Sequence, residues 1–265
     1  MRQLVLPGKM SAQFSAVSRN SSVGQLQVLP VLPVNVTTKR YSTVKMSELF
    51  ANLPNRAFNQ VLAAARPKDF ATRHMIFVAG DPAKEVFLLV SGRVRIMQFS
   101  KNTEELILRL ELPGELIGET APVPGGAHSL TAQADQDCRT LIWDSPAFEA
   151  AAMRFPILQR NRQRIAERRI RELEDRFCEV STATVSPRVA RTLLRLLKQI
   201  GRHQMNAGIQ IDIEQEEVAK MTATTVWAVN QLLAAWEKQG LVSRRRGSII
   251  IRSYNDLLQL CKATK

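Results

Sequence analysis

Two short helical patterns separated by only three residues constrain the fold of this chain more than any other feature. Apolar periodicity predicts helices over about 214–221 and 225–238, and the break between them is Thr222-Ala223-Thr224. A break of this length is typical of the turn in a helix-turn-helix. Residues 238–253 follow with a strand, a turn and a second strand. With a further helix over 187–200, the arrangement predicts a winged helix-turn-helix domain.

The second predicted helix and the wing carry side chains suited to duplex DNA. Five residues on the outer face of that helix are candidates for reading base edges: Thr225, Val226, Trp227, Asn230 and Gln231. The candidates for phosphate contacts are Thr224 in the turn and three cations of the wing, Arg244, Arg245 and Arg246. Three arginines on a turn are also common on a solvated hairpin. Their position directly after a helix-turn-helix favours a wing that contacts the phosphates of duplex DNA.

The charge distribution supports the same interpretation. The chain of 265 residues has a formal net charge of +13, of which residues 183–265 carry +7 while residues 46–150 carry −3. A mildly acidic domain joined to a basic one is typical of a sensor or partner module attached to a polyanion-binding module. A basic domain that is merely soluble is the alternative.

Between about residues 68 and 145 the pattern changes to short β-branched or alternating runs, such as EVFLLVSG and CRTLIWD. Turn signals such as Gly80-Asp81 and Pro113-Gly114 separate these runs. Many short strands at close spacing predict an antiparallel sandwich or closed roll. Strands do not alternate with long helices here, which excludes a doubly wound nucleotide-binding sheet. The predicted class is therefore α+β, with a β roll, a long helix and a winged helix-turn-helix.

A long helix connects the two domains and carries a heptad-like stripe. The apolar end of this stripe consists of Ala166, Ile170, Leu173, Phe177 and Val180. Charged residues flank the stripe on both sides, which favours the seam of a parallel dimer. Packing of one amphipathic helix on its own domain is the alternative.

The expected domain organisation has five segments. Residues 1–45 form an N-terminal extension, 46–150 the β domain, 151–182 the dimerisation helix, 183–255 the DNA-binding domain, and 256–265 a C-terminal tail. The extension has six bases and no acids, and three interpretations of it stay open. It is disordered, it is an organellar transit peptide, or translation starts at Met46.

Cysteine usage and hydropathy bound the environment of the protein. Cys138, Cys178 and Cys261 are far apart and match no zinc, iron–sulfur or redox spacing, which fits a reducing cytoplasm. No segment approaches the roughly 20 apolar residues that span a bilayer. We expect a cytoplasmic protein with no membrane partner.

From about Met46 to Ser253 the sequence resembles the CRP/FNR family of bacterial transcription regulators. The stretches that carry the resemblance are AGDPAKEVFLLVSGRVRI (79–96), LPGELIGE (112–119), SPRVARTLLRLLK (186–198) and EQEEVAKMTATTVWAVNQLLAAWEKQGLV (214–242), followed by the wing. The resemblance implies a cyclic-nucleotide-binding-like β roll, a long dimerisation helix and a winged helix-turn-helix. It also implies a homodimer that binds palindromic duplex DNA, with RNA polymerase as a further partner.

Departures from the family pattern bear on the effector. In members that bind cyclic AMP, a Gly-Glu pair holds the ribose, an Arg-Ser pair holds the cyclic phosphate, and a Thr-Ser pair of the long helix meets the adenine. The resemblance places at these positions, in order, Gly118 and Glu119, His128 and Ser129, and Leu173 and Glu174. Without the arginine, the strongest charge-assisted contact to a phosphate is missing, and Glu174 would repel it. We expect a different, unidentified effector, or no small ligand, rather than cyclic AMP.

Other cofactors of the family are also disfavoured. Members with an iron–sulfur cluster hold it through N-terminal cysteines, whereas residues 1–137 contain no cysteine. Haem-binding members use a histidine in or near the roll. His74 and His128 lie in that region, but lone histidines are more often structural or solvent-facing. The cofactor is therefore left unknown.

The predicted recognition helix departs from the family as well. Many members show an Arg-Glu pair and a later arginine that recognise guanine and cytosine edges, whereas this chain has Val226, Trp227 and Gln231 at those positions. Apolar side chains contact thymine methyl groups, and glutamine pairs with adenine. We therefore expect an operator rich in A·T at these positions. The alternative is that Trp227 packs on the wing and that phosphate contacts carry the affinity.

Taken together, these patterns predict a homodimeric, sequence-specific transcription regulator whose DNA affinity responds to an effector in the β roll. The alternative is an effector-independent repressor or architectural protein in which the roll is a dimerisation or partner platform. An enzyme is disfavoured, because the sequence shows no nucleophile–base pair, metal-ligand cluster or phosphate loop.

Overall fold

The computed structural model describes residues 38–100, 104–118, 126–204 and 208–262. Residues 1–37 of the predicted N-terminal extension and Glu119 of the predicted effector pocket lie outside these ranges. The helices are α1 (Thr38–Lys45), α2 (Asn55–Ala63), α3 (Ser145–Arg154), α4 (Pro156–Thr182), α5 (Val185–Ile200), α6 (Gln215–Thr222), α7 (Val226–Lys238) and α8 (Tyr254–Leu260), with a 3-10 turn at Glu48–Phe50. The strands are β1 (Arg66–Phe70), β2 (Met75–Phe77), β3 (Glu85–Ser91), β4 (Val94–Phe99), β5 (Glu105–Glu111), β6 (Leu116–Ile117), β7 (Thr131–Ala134), β8 (Cys138–Asp144), β9 (Arg202–Gln204), β10 (Gly208–Ile211), β11 (Val242–Arg245) and β12 (Ser248–Ile251).

Two four-stranded antiparallel sheets form the predicted β roll. Their strand orders are β1-β8-β3-β6 and β2-β7-β4-β5. Four consecutive residues of β3 are buried, because one face of the strand packs inside the roll and the other packs against the surrounding helices. This burial on both faces explains its nearly continuous apolar sequence. The indole of Trp143 is buried and donates a hydrogen bond to the carbonyl of Val61 at 2.7 Å, which fastens α2 onto this roll. The α+β class predicted from the sequence is confirmed.

Strand β1 is an element that the sequence pattern did not predict. It pairs with β8 at the edge of the first sheet, from Arg66 opposite Ile142 to Phe70 opposite Cys138. Four of its five residues are exposed, so it lacks the alternation that identifies a half-buried strand. Pro67 is tolerated because an edge strand leaves one row of amide positions unpaired.

The N-terminal extension was predicted to reach residue 45, and the structure differs at its end. Residues Thr38–Lys45 form helix α1, and Val44 is fully buried in the core beneath the roll. Ser47 Oγ then donates a hydrogen bond to the carbonyl of Gly114 at 2.5 Å. The folded part of the chain therefore begins before Met46, because Val44 contributes to the same core as Leu49 and Leu116.

Helix α4 has 27 residues and two different halves. The first half is packed against the roll, where the side chain of Asn161 donates hydrogen bonds to the carbonyls of Leu49 and Ala51, each at 2.9 Å. The second half exposes Ile170, Leu173 and Phe177 to 56%, 55% and 72%. The apolar stripe predicted from the sequence therefore lies on the surface of the protomer, and it does not pack on its own domain.

The C-terminal domain contains α5 to α8 and a sheet of order β11-β12-β10-β9. Its core includes Val218, Leu233 and Trp236 and continues into Ile107 and Leu110 of the roll. The tail predicted for 256–265 begins instead with most of α8, whose Leu257 is fully buried. An apolar residue at this point closes the core over α5, so the domain extends past residue 255. In the part of the chain that the structure describes, no helix is long and apolar enough to cross a membrane.

Candidate nucleic-acid interface and effector pocket

The turn between α6 and α7 is held by backbone geometry and two capping contacts. Ala223 adopts a left-handed conformation with φ 47°, and the amide of Thr224 donates to the carbonyl of Ala219 at 3.2 Å. The next helix starts at once, because Thr225 Oγ1 accepts a hydrogen bond from the amide of Ala228 at 3.2 Å. This short, fixed turn sets the crossing of the two helices of a helix-turn-helix.

Helix α7 separates a buried face from an exposed one. Val229, Leu233 and Trp236 are buried in the domain core. On the opposite face Trp227 is 71% exposed and Gln231 is exposed, while Thr225 and Val226, the latter 40% exposed, lie in solvent because they are at the start of the helix. Because Trp227 is exposed, the protomer does not show the alternative in which this ring packs on the wing. A large aromatic side chain left in solvent at the start of a helix is available for contact with a partner.

Asn230 differs from the other four predicted base-reading residues. It is only half-exposed, and its Oδ1 is buried with no hydrogen-bond partner among the described residues. A buried acceptor without a partner is costly, so a contact that supplies a donor would stabilise the side chain. Asn230 thus lies at the border between the core and the exposed face of α7.

The wing places its three arginines in two different environments. Strands β11 and β12 form the hairpin, and Gly247 takes φ 72° in its turn. Arg244 does not stand at the tip as predicted, since its Nε donates to Glu237 Oε2 at 2.9 Å and its amide donates to Glu237 Oε1 at 2.8 Å. These contacts fix the wing to α7 and lower the pKa of Glu237. Arg245 and Arg246 are exposed and leave two cations at the tip.

Helix α6 is docked on the roll through the β4–β5 hairpin. Lys220 Nζ lies 2.8 Å from Glu105 Oε2, and Arg95 of β4 lies 2.9 Å from Glu217 Oε1. Arg93 donates to the carbonyl of Asp212 at 2.8 Å and also pairs with the buried Asp135. The two ion pairs between α6 and the roll are partly buried, and pairs of this kind contribute little net stability while they hold the two elements in one register. The exposed face of α7 is therefore presented by a domain that is fixed on the roll.

Two of the predicted effector residues of the roll, Gly118 and His128, both lie against the ring of Phe77. The His128 ring is buried and stacks on Phe77 with centroids 3.7 Å apart. Gly118 has φ 79°, and a Cβ built there would lie 2.5 Å from Phe77 Cζ. Glycine is thus required at this position both by its backbone conformation and by the nearness of the ring.

The predicted residues of the long helix do not join this cluster. Leu173 and Glu174 are exposed, and Ser129 is exposed as well. His74, the other histidine of the roll, is also exposed. In the described part of the chain, no group of three His, Cys, Asp or Glu residues could hold a metal ion.

Arg169 of α4 is the residue that reaches the roll, and sequence reasoning did not single it out. It donates to the carbonyl of Gly118 at 2.6 Å and pairs with Glu111 at 2.9 Å. Arg109 of β5 approaches the same groups, with Glu111 at 2.7 Å and the Gly118 carbonyl at 3.3 Å. The sequence carried one signal for this role: Arg169 lies one helical turn before Leu173, which the family resemblance places at an effector contact of the long helix. Two guanidinium groups therefore occupy the side of the roll that faces α4.

The domains that contain the effector pocket and the helix-turn-helix both match known families. A model of the cyclic nucleotide-binding domain matches residues 67–155, and a model of the Crp-like helix-turn-helix domain matches residues 187–260. The chain belongs to the CRP/FNR family of bacterial transcription regulators. The predicted resemblance is thereby confirmed, and the family is one of regulators rather than enzymes.

Relatives of this CRP/FNR-family regulator span nearly the same length. The cyclic AMP receptor protein of Thermus thermophilus is 28% identical over 209 residues, which cover 79% of this chain and 94% of that protein. The CRP-like cAMP-activated global transcriptional regulator of Mycobacterium tuberculosis is 24% identical over 204 residues, which cover 77% and 91%. The fold is also that of the c-di-GMP responsive global regulator CLP of Xanthomonas campestris, with TM-score 0.68, 19% identity and coverage of 76% and 100%.

A cleft of about 340 Å³ in this regulator lies between the β5–β6 turn and α4, where Glu115 faces Arg168 and Arg169. Burial, and then the charge of Glu111, raise the pKa of Glu115 to about 7. The backbone amide of Leu112 donates to this carboxylate at 2.7 Å and only partly offsets the effect. The unfolded chain releases this proton near pH 4.5, so stability falls as pH rises from about 4.5 to about 7.

Replacing Glu115 by Gln is expected to remove this pH dependence. The variant should gain on the order of 2 kcal/mol over the native chain at pH values above about 8, where the buried carboxylate is charged. Urea unfolding at a series of pH values measures the difference. The exposed Glu104→Gln is the control and should leave the profile unchanged; a Glu115→Gln profile parallel to the native one would contradict the assignment.

Proposed function

We propose that this CRP/FNR-family regulator binds palindromic duplex DNA as a homodimer and reads it with helix α7. The observation that carries the proposal is the exposed pair Val226 and Trp227 at the start of α7, in a domain whose wing tip also exposes two cations, Arg245 and Arg246. Contacts of the wing with phosphates would set the orientation, while α7 would enter the major groove. A DNA-binding regulator of this kind works in the bacterial cytoplasm, with RNA polymerase as its predicted further partner.

The exposed stripe of α4 supports the homodimer. Its apolar members are Ala166, Ile170, Leu173, Phe177 and Val180, of which all but Ala166 are large hydrophobic residues in solvent. A contiguous apolar stripe at heptad spacing is stabilised by a second helix of the same kind. Two chains joined along α4 would present two α7 helices to half-sites about 34–36 Å apart.

The operator is expected to be relatively rich in A·T where α7 meets it. Val226 and Trp227 offer apolar contacts to thymine methyl groups, and Gln231 offers a bidentate pair to adenine. Selection from random duplex DNA should therefore return a palindrome with A·T pairs at these positions. Trp227→Ala should relax the preference at one position by about 1–3 kcal/mol, while the exposed Gln239→Ala at the far end of α7 should not. Recovery of TGTGA-type half-sites would contradict this proposal.

We consider two roles for the β roll in this function. In the first, an unidentified effector binds in the roll and shifts the population of dimers whose α7 helices match the operator. In the second, the protein binds DNA without an effector and the roll is a platform. The stacking of His128 on Phe77 and the hydrogen bond from Arg169 to Gly118 argue against an effector held by Gly118 and His128, because the chain's own side chains already contact both residues.

Cyclic AMP is disfavoured as an effector, although the names of two relatives include it. His128 stands where the family resemblance expects an arginine for the phosphate, and its ring is already stacked. The selected operator, titrated with ligand-free protein by fluorescence anisotropy, tests both points. Tight binding that does not change on addition of cyclic AMP is the expected result. A requirement for cyclic AMP would overturn it.

A further inference from the structure

Three arginines from three different parts of the chain converge at the junction of the roll, the long helix and the DNA-binding domain. Arg109 comes from β5, Arg176 from α4 and Arg195 from α5. Together with Thr192, Gln199 and Met221 they line a small cavity of about 20 Å³. Arg195 belongs to α5 and Met221 to α6, so two helices of the DNA-binding domain line the cavity.

Two of these arginines have carboxylate partners, and the third has none in the described part of the chain. Arg109 pairs with Glu111 at 2.7 Å, and Arg195 pairs with Glu179 through two contacts of 2.7 and 2.9 Å. Arg176 forms no ion pair among the described residues, and its buried Nε has no hydrogen-bond partner there. A buried guanidinium nitrogen without an acceptor is costly.

The electrostatics of the junction leave positive charge uncompensated. Glu111 is shared between Arg109 and Arg169, so the guanidinium groups outnumber the carboxylates that bind them. Burial, and then the charges of Arg195 and Arg109, lower the pKa of Arg176, which Glu172 and Glu179 raise only in part. Arginine nevertheless stays protonated in proteins, so its charge is stabilised when an anion enters.

We propose that this junction binds a phosphoryl group, held by Arg109, Arg176 and Arg195. Planar guanidinium groups bind phosphate oxygens in a bidentate manner, and three of them surround this cavity. A space of about 20 Å³ admits little more than a water-sized group, so a phosphoryl group enters with a small outward shift of the flexible arginine ends. A nucleoside does not fit inside; any larger part of the ligand stays outside.

A bound phosphoryl group would link three parts of the regulator that move separately if the DNA-binding domain reorients. Arg109 belongs to the roll, Arg176 to α4, and Arg195 to α5 of the DNA-binding domain. The ligand would therefore favour the docked arrangement described above and couple its concentration to operator affinity. This coupling rests on the proposed function, whereas the binding site itself does not.

Isothermal titration of the full chain with inorganic phosphate, at constant ionic strength, tests the site. The native protein should bind, and Arg176→Gln should weaken binding by about 10- to 100-fold, as expected for the loss of a charge-assisted bond. Arg171→Gln removes an exposed arginine from the same helix and should bind as the native chain does. A second titration with a nucleoside monophosphate identifies the source: binding of both ligands indicates a phosphate ester, and binding of phosphate alone a free anion.

Folding and function are separated by two further measurements. Arg176→Gln should melt no lower than the native chain without phosphate, because it removes an unpaired charge, but it should lose the thermal stabilisation that phosphate gives. Arg176→Lys keeps the charge without the fork and should fall between the two. Absence of phosphate binding, or an equal loss in Arg171→Gln, overturns the site. Phosphate binding that leaves operator affinity unchanged overturns only the coupling.

Discussion

Replacing Phe177 by Asp should convert the proposed dimer into a monomer and reduce operator affinity at least about 1000-fold, towards the level of non-specific binding. The ring is 72% exposed in the protomer and lies between Leu173 and Val180 in the apolar stripe of α4. Across a two-fold axis, two unpaired carboxylates would replace two aromatic rings in a desolvated seam. Sedimentation measures the oligomeric state, and anisotropy with the selected operator measures affinity.

The matched control for this prediction is Cys178→Asp. Cys178 is exposed, adjacent in sequence and on the outer side of the stripe, and the substitution adds the same charge. It should leave the dimer and its DNA affinity nearly unchanged. If Phe177→Asp remained dimeric, or if both variants dissociated equally, the proposed seam on α4 would be wrong.

Neutralising the two cations at the tip of the wing should change how DNA binding depends on salt. In Arg245→Gln/Arg246→Gln, the slope of log affinity against log salt should become less steep by about 1.8 units, which corresponds to two lost phosphate contacts. The loss of affinity should be similar for specific and random sequences, because phosphate contacts carry no sequence information. Arg244 is left in place, since Glu237 already neutralises it and ties it to α7.

The double variant Arg160→Gln/Arg164→Gln is the control for net charge. Both arginines are exposed on α4, so the double substitution removes two positive charges from a part of the chain outside the wing. A slope that stays within experimental error of the native value is expected for this variant. An equal flattening in both double variants would show that overall charge, and not the wing, sets the salt dependence.

The parts of the fold that the sequence predicted are those determined by local signals. The helices over 214–221 and 225–238 agree with α6 and α7 to within a residue at each end, because an apolar stripe and a short turn define them locally. Helix α1 and strand β1 were missed for the opposite reason. The burial of Val44 and the edge position of β1 depend on tertiary partners far along the chain.

The candidate sites show the same limit at the level of single residues. Arg244 belongs to a run of three arginines that look equivalent in sequence, yet only its strand position places it opposite Glu237. Arg169 was hidden among the many arginines of α4, and only the packing of that helix on the roll brings it to Gly118. Charge and periodicity identify which surfaces exist, whereas the partner of an individual guanidinium depends on packing.

The continuity of the core between the β4–β5 hairpin and the DNA-binding domain has a thermodynamic consequence. Met97, Ile107 and Leu110 are buried in the same cluster as the core of the helix-turn-helix. Exposing such side chains costs roughly 1.5–3 kcal/mol each, so the domain does not swing freely. A reorientation would have to exchange this packing for a second one that buries a comparable apolar area. A ligand that changes it must differ in affinity between the two packings by about tenfold for every 1.4 kcal/mol.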